Sequence, residues 1–237
     1  MHYLVTLVDR EDGSVEQPGT AEFEAEVARF AEFEQRAGAA VAGGAALYPS
    51  DTALTVRRAD GRMLVSDGPF AEQAEVVGGF YVFDAADLDA AIELARQLPT
   101  VEGGAVEVRP MVMWSGHADP GPDWWLALLW EAPDAVIEPG TDAWDEAVAE
   151  HQRFGEKYAE AIRGGGALHP PVAATTVRVR DGKLLLTDGP YPEFAEVVDG
   201  LYLFTAPDRA AAAEIAAQIP LGERGYTEVR PIVAMVE

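Results

Sequence analysis

The chain has no cysteine in its 237 residues. That removes disulfides, thiolate metal centres and cysteine nucleophiles at once. Long apolar runs are missing too. The longest, WWLALLW at 124–130, has the length of a buried strand and falls far short of the roughly 18–20 residues of a membrane span. Basic residues are scarce. There are 17 Lys and Arg against 41 Asp and Glu, a net charge of −24. Such a surface repels phosphate backbones and anionic lipid, so neither nucleic acid nor membrane is an expected partner. A small-molecule ligand is the expected one. The opening MHYLVTLVDRED carries no basic region and no small-residue cleavage site, which points to a cytoplasmic location. No G-x-S-x-G, P-loop, calcium-loop or His-x-x-x-His pattern occurs.

What the chain does have, it has twice. Residues 66–83 read SDGPFAEQAEVVGGFYVF and residues 187–204 read TDGPYPEFAEVVDGLYLF; over 67–84 against 188–205, 11 of 18 positions are identical. At an offset of 121, Asp60-Gly61 falls on Asp181-Gly182, Pro99 on Pro220, and Glu107-Val108-Arg109-Pro110 on Glu228-Val229-Arg230-Pro231. A period this long is a duplicated domain, since solenoid repeats recur every ~20–50 residues. Two domains are expected, 1–114 and 124–237. They are joined by a Gly- and Pro-rich polar linker, 115–123.

Each half predicts the same elements. A strand, 3–8 or 125–130, precedes a helix that opens at Thr20 or Thr141. Phe23, Val27, Phe30 and Phe33, matched by Trp144, Val148, His151 and Phe154, give that helix an apolar stripe. TALTVRR (52–58) and RMLVS (62–66) flank Asp60-Gly61 as a hairpin. GFYVF (79–83) is a strand. Residues 87–98 form a helix with Asp87 at its start and Pro99 at its end, and 105–114 is the closing strand. In that strand Val106, Val108, Val112 and Trp114 share one face by alternation, opposite Ala105, Glu107, Arg109, Met111 and Met113. Gly43-Gly44 and Gly164-Gly165-Gly166 follow helices and read as C-caps. The fold class is α+β: two tandem ferredoxin-like βαββ(β)αβ units. Apolar residues on both sheet faces require a second cover, so the halves pack sheet on sheet as an intramolecular pseudo-dimeric barrel. The expected assembly is a monomer with an internal pseudo-two-fold axis, or a higher assembly of such units.

Asp-Gly-Pro-(Phe/Tyr), a Glu two residues on and another three further, Gly-x-Tyr, a helix ended by Pro and then Glu-Val-Arg-Pro together resemble the YCII-related, DGPF-type domain. The resemblance covers nearly the whole chain, twice, and implies a dimeric α+β barrel. It also implies either small enzymes built on a His–Asp pair or accessory proteins of extracytoplasmic-function sigma-factor pathways. This chain departs from the pair. His151 occupies the histidine position in the second half but Phe30 does in the first, and Leu98-Pro99 and Ile219-Pro220 replace the aspartate. The lysine before the second Glu is Ala74 and Ala195.

Candidate site residues follow from chemistry. Asp67 and Asp188, heading Gly-Pro, suit either an Asx-turn or a general base at the mouth of an inter-sheet cavity. Arg109 and Arg230 sit mid-strand, each with a Glu two residues away. They suit a buried ion pair or a grip on an anionic ligand. His169, where the first half has Tyr48, could join Asp188 in acid–base work. His151 lies on an apolar helix stripe, where packing competes with catalysis as its role. Tyr48, Tyr81 and Tyr202 complete the candidate ligand contacts. The trios Asp67, Glu72, Glu75 and Asp188, Glu193, Glu196 lack metal-loop spacing, so neither metal nor cofactor is expected.

Overall fold

The computed structural model describes residues 1–11, 20–59, 62–69, 75–116, 120–191 and 195–234. The first half runs β1 (His2–Arg10), α1 (Ala21–Ala37), β2 (Val41–Ala46), β3 (Leu54–Ala59), β4 (Arg62–Asp67), β5 (Glu75–Asp84), α2 (Leu88–Ala95), α3 (Thr100–Gly103) and β6 (Ala105–Ser115). The second runs β7 (Trp124–Glu131), α4 (Asp142–Lys157), β8 (Ile162–Leu168), β9 (Thr175–Arg180), β10 (Lys183–Asp188), β11 (Val197–Thr205), α5 (Arg209–Ala216) and β12 (Tyr226–Pro231). Caps sit where short polar side chains precede apolar stripes. Thr20 and Thr141 accept from the Phe23 and Trp144 amides, and Asp87 and Asp208 from those of Ala90 and Ala211. Each satisfies an amide that has no partner within its helix.

The strands order as β2-β5-β1-β6 in one half and β8-β11-β7-β12 in the other, antiparallel throughout. The end of β6 pairs with β8, and Leu47 bridges Ile232 at the opposite seam. Backbone bonds from Tyr48 N to Pro231 O and from Val233 N to Ala46 O reinforce that second seam. Eight strands therefore close on themselves, and closure removes the edges a lone sheet would leave bare. Among the described residues, 18 form the central cluster; they come from both halves and fill the space between the sheets, with Phe80, Met111, Trp130, Tyr191, Leu201 and Tyr226 among them. Two further clusters lie on the outer faces, one under α1 and α2, the other under α4 and α5. Among the described residues no helix is long and apolar enough to cross a membrane.

Three details differ from the sequence reading. Gly43-Gly44 and Gly164-Gly165-Gly166 lie inside strands β2 and β8, and the residue capping α1 is Gly38, at φ +53°. The strand glycines answer a tertiary demand. A Cβ on Gly44 would stand 2.6 Å from the Tyr81 ring, and one on Gly165 would stand 3.0 Å from that of Tyr202. Trp114 packs against the central cluster that holds Ala105 and Met111, because a register shift between Met111 and Met113 resets the alternation. The hairpins also cross over. β3–β4 of the first half pairs with β12, and β9–β10 of the second pairs with β6. Asp181 (φ 52°) and Gly182 (φ 71°) make the second hairpin's turn with both torsions positive, as Asp-Gly favours. Asp60-Gly61 lies outside the described residues.

Candidate functional site

Each half carries a β-bulge at the same place. The pairing of β5 with β1 skips Gly78, and that of β11 with β7 skips Asp199. A bulge interrupts the ladder and leaves a carbonyl in need of a donor. The donor is a buried arginine from the other half. Arg109 reaches from β6 to Val198 O (2.6 Å), and Arg230 reaches from β12 to Val77 O (2.5 Å). Both side chains are almost wholly buried, at 1% and 2% exposure. The Arg109 Nε and second terminal nitrogen both meet Glu107 Oε1, whereas the same fork on Arg230 closes around Tyr48 O, with Glu228 at 3.6 Å. Burial pushes the Glu228 carboxyl up, against the pull of Arg230. Arg109 and Arg230 thus cross-link the halves, as a buried cation must when its charge and hydrogen bonds are both to be met.

The two seams then diverge. At the β6–β8–β11 seam, Asp199 stands where the other seam has Gly78, and His169 where it has Tyr48. Asp199 is one residue beyond the Gly200–Ala167 pair, and the His169 amide donates to Pro110 O (3.0 Å), next to Arg109. Two positions at which the copies differ, 199 and 169, therefore both neighbour Arg109 and its strand. Burial pushes the Asp199 carboxyl up to about 6, with Arg109 pulling the other way. Behind them Glu107 Oε2 accepts the Tyr191 amide (2.8 Å), the Tyr191 hydroxyl donates to Glu75, and the Arg178 guanidinium lies 4.9 Å from the Tyr191 ring centre. Nearby, Glu131 is buried with its Oε1 accepting the Gly222 amide (2.9 Å) and, among the described residues, no partner for its Oε2. Burial raises that carboxyl also, and Asp199 adds to the rise.

The Asp-Gly-Pro motif serves this arrangement through its backbone. Gly189, at φ +98°, donates to Ala174 O and turns the chain so that Tyr191 enters the barrel. Gly68, at φ +82°, makes the matching bond to Ala53 O, while Phe70 lies outside the described residues. An Asx-turn onto the residue two positions on is barred, because Pro69 and Pro190 have no N–H. Both aspartates are exposed. Asp67 pairs with Arg209 of the other half (2.7 Å), whose guanidinium also binds Thr52 O and Ala53 O. Asp188 ends the crossed-over β10 and does not share the seam position of Asp199.

His151, Tyr81 and Tyr202 lie on the outer, helix-covered faces. His151 Nδ1 sits 2.9 Å from the Tyr202 hydroxyl, its ring stacked on the phenol, and burial holds its basicity below the ordinary imidazole value. In the first half Phe30 stacks on Tyr81, and the Tyr81 hydroxyl donates instead to Glu34 (2.7 Å), one helical turn along α1 where the second half has Gly155. Each phenol thus finds one partner on its helix, by a different route. Tyr48 contributes its carbonyl to Arg230 and leaves its ring 40% exposed. Of the carboxylate trios, Glu72 and Glu193 lie outside the described residues. Among the described residues no group of three His, Asp or Glu is placed to hold a metal. Tyr191 and Asp199 are absent from the sequence-derived candidates, although the Gly78/Asp199 difference is visible within the repeat.

The uncharacterized protein R00369 of Rhizobium meliloti (strain 1021) is 43% identical over 72 residues. These make up 30% of this chain, which spans only 58% of that relative's length. A crystal structure solved under a provisional chlorite dismutase assignment, TA0507, aligns over 98% of this chain and 94% of its own, at 10% identity and a TM-score of 0.43. A model of the YCII-related domain matches residues 1–115 and again 124–236. With both halves matched, the chain belongs to the YCII-related domain family and carries the domain in tandem.

Proposed function

We propose that the β6–β8–β11 seam binds a small molecule and offers it acid–base chemistry, with Asp199 as the titrating group. One observation carries this reading: the duplicated copies depart from each other at the seam, Asp199 for Gly78 and His169 for Tyr48. A carboxyl held near 6 exchanges its proton close to neutral pH and can both donate and accept one. His169 supplies an imidazole as a second polar group for the ligand. Arg109, already bonded to Glu107 and Val198, acts here as a fixed positive charge that favours an ionised or polar ligand group beside Asp199. The centre of the barrel is packed by the apolar cluster, so the ligand sits at the seam and not in the middle.

A thermal-shift screen against a metabolite library tests this, with Asp199→Gly and His169→Tyr making the second seam like the first. Compounds that stabilise the wild type should lose their effect in both variants. Ligands that bind Asp199→Gly as well as the wild type would sink the assignment. A second reading, a non-catalytic accessory module such as one serving a sigma-factor pathway, is favoured by the packed centre and the saturated arginines. Under it the screen returns no ligand, and capture partners should depend on surface rather than seam residues.

A further inference from the structure

The crossed-over hairpin β9–β10 ends its sheet. Among the described residues β10 pairs with β9 alone, so its other side presents free amides and carbonyls. Natural edge strands are usually blunted by charge, proline or shortness. This one carries Leu184, Leu185 and Leu186 in succession, 39%, 47% and 51% exposed. Both faces of the ribbon are bare at that point, since neighbouring leucines point to opposite faces.

We propose that β10 is a self-association edge, through which two copies of this chain join by antiparallel pairing of Lys183–Asp188 about a two-fold axis at Leu185. The strand is complementary to itself. A two-fold axis normal to a sheet brings residues of like facing together. With the axis at Leu185, Leu185 meets its own copy, Leu184 meets Leu186 and Leu186 meets Leu184. All three exposed leucines are then covered by leucines. The antiparallel arrangement sets the Lys183 end of one strand beside the Asp188 end of the other, base against acid, and no like charges face each other.

Electrostatics singles out the same place. The chain carries −24, so most surfaces of two copies repel. Residues 175–188 hold Arg178, Arg180 and Lys183 against only Asp181 and Asp188, a local net charge of +1. The pseudo-equivalent edge, β4, is less suited. Its Asp67 is engaged by Arg209, where the other half has Leu88, and Met63 of that strand is drawn into an outer core cluster. One competent edge per chain yields a closed dimer, whereas two would yield an open polymer.

Analytical ultracentrifugation of the full chain across a wide range of concentration tests the proposal. The wild type should reach twice 25.4 kDa. Leu185→Lys, which sets two ammonium groups face to face on the axis, should return it to the single mass. Leu64→Lys on β4 should leave the dimer intact, with circular dichroism melting confirming that both variants fold. A cysteine-free chain allows a second readout. Leu185→Cys should form an intermolecular disulfide about tenfold or more faster than Val172→Cys, because pairing inside a dimer proceeds at an effective concentration near millimolar. A wild type that stays at the single mass, a dimer that survives Leu185→Lys, a dimer lost in Leu64→Lys, or equal cross-linking at 185 and 172 each overturns it.

Discussion

Replacing Asp199 by asparagine should change stability by an amount that depends on pH, and its sign follows from the carboxyl's surroundings. Folding raises this carboxyl from an ordinary value of 3.8 to about 6, chiefly by burial. The folded protein therefore holds the proton more tightly than the unfolded chain. The contribution of Asp199 is fully present below about pH 3.8 and is lost as pH rises through about 6. Over the whole window the rise from 3.8 to about 6 corresponds to about 3 kcal/mol. Between pH 8 and pH 5, where the unfolded carboxylate stays ionised, the linkage relation gives about 1.4 kcal/mol. Asparagine keeps the shape and does not titrate, so the variant gains on the wild type at pH 8 and gives back about 1.4 kcal/mol of that gain at pH 5. Urea unfolding of both proteins at the two pH values measures this. With a slope of about 3 kcal/mol/M, the midpoint difference should move by about 0.5 M. The comparison cancels the other carboxylates, which both proteins share. A difference that is flat between pH 5 and 8 refutes the raised carboxyl. One that moves the other way shows that Arg109 outweighs burial.

Two further predictions concern the frame that holds the seam. Gly44→Ala sets a methyl 2.6 Å from the Tyr81 ring and Gly165→Ala sets one 3.0 Å from that of Tyr202. Both should destabilise by about 1–3 kcal/mol in thermal denaturation, Gly44→Ala the more. Equal stability with the wild type would show that the strand glycines answer no packing demand. Arg109→Met leaves Glu107 buried without its cation and should cost about 3–5 kcal/mol, while Arg109→Met with Glu107→Gln should recover most of that. If the double variant is no more stable than the single one in chemical denaturation, the arginine's bond to Val198 O matters more than its charge.

Much of the fold is legible in the sequence, because local chemistry and tertiary demand agree there. Thr20, Thr141 and Asp87 cap helices where short polar side chains precede apolar stripes, and Asp181-Gly182 turns a hairpin as that dipeptide should. Elsewhere the deciding partner lies far along the chain. Strands β2 and β8 show no alternation, since their glycines are small to admit Tyr81 and Tyr202 from a neighbouring strand. Turn chemistry states that β9–β10 is a hairpin but is silent on which edge it joins. Its near copy β3–β4 has the same local signals, so the choice belongs to barrel closure. The bulges defeat alternation in the same way, by adding a residue that only a partner strand reveals.

The candidate site was legible only as a difference. What the copies share, the Arg109 and Arg230 cross-links to bulged carbonyls and their Glu107 and Glu228 companions, holds the barrel together. A homodimer of one such domain would have to repeat any seam substitution at both seams. A carboxyl like Asp199, unfavourable by about 3 kcal/mol when ionised, would then count twice, a total of about 6 kcal/mol in a protein whose margin is only about 5–15. Fusion confines that cost to one seam and leaves Gly78 and Tyr48 at the other. The seam that bears the buried carboxyl is the one at which the proposed ligand chemistry would be placed, since a group that lowers stability when ionised needs a reason other than folding.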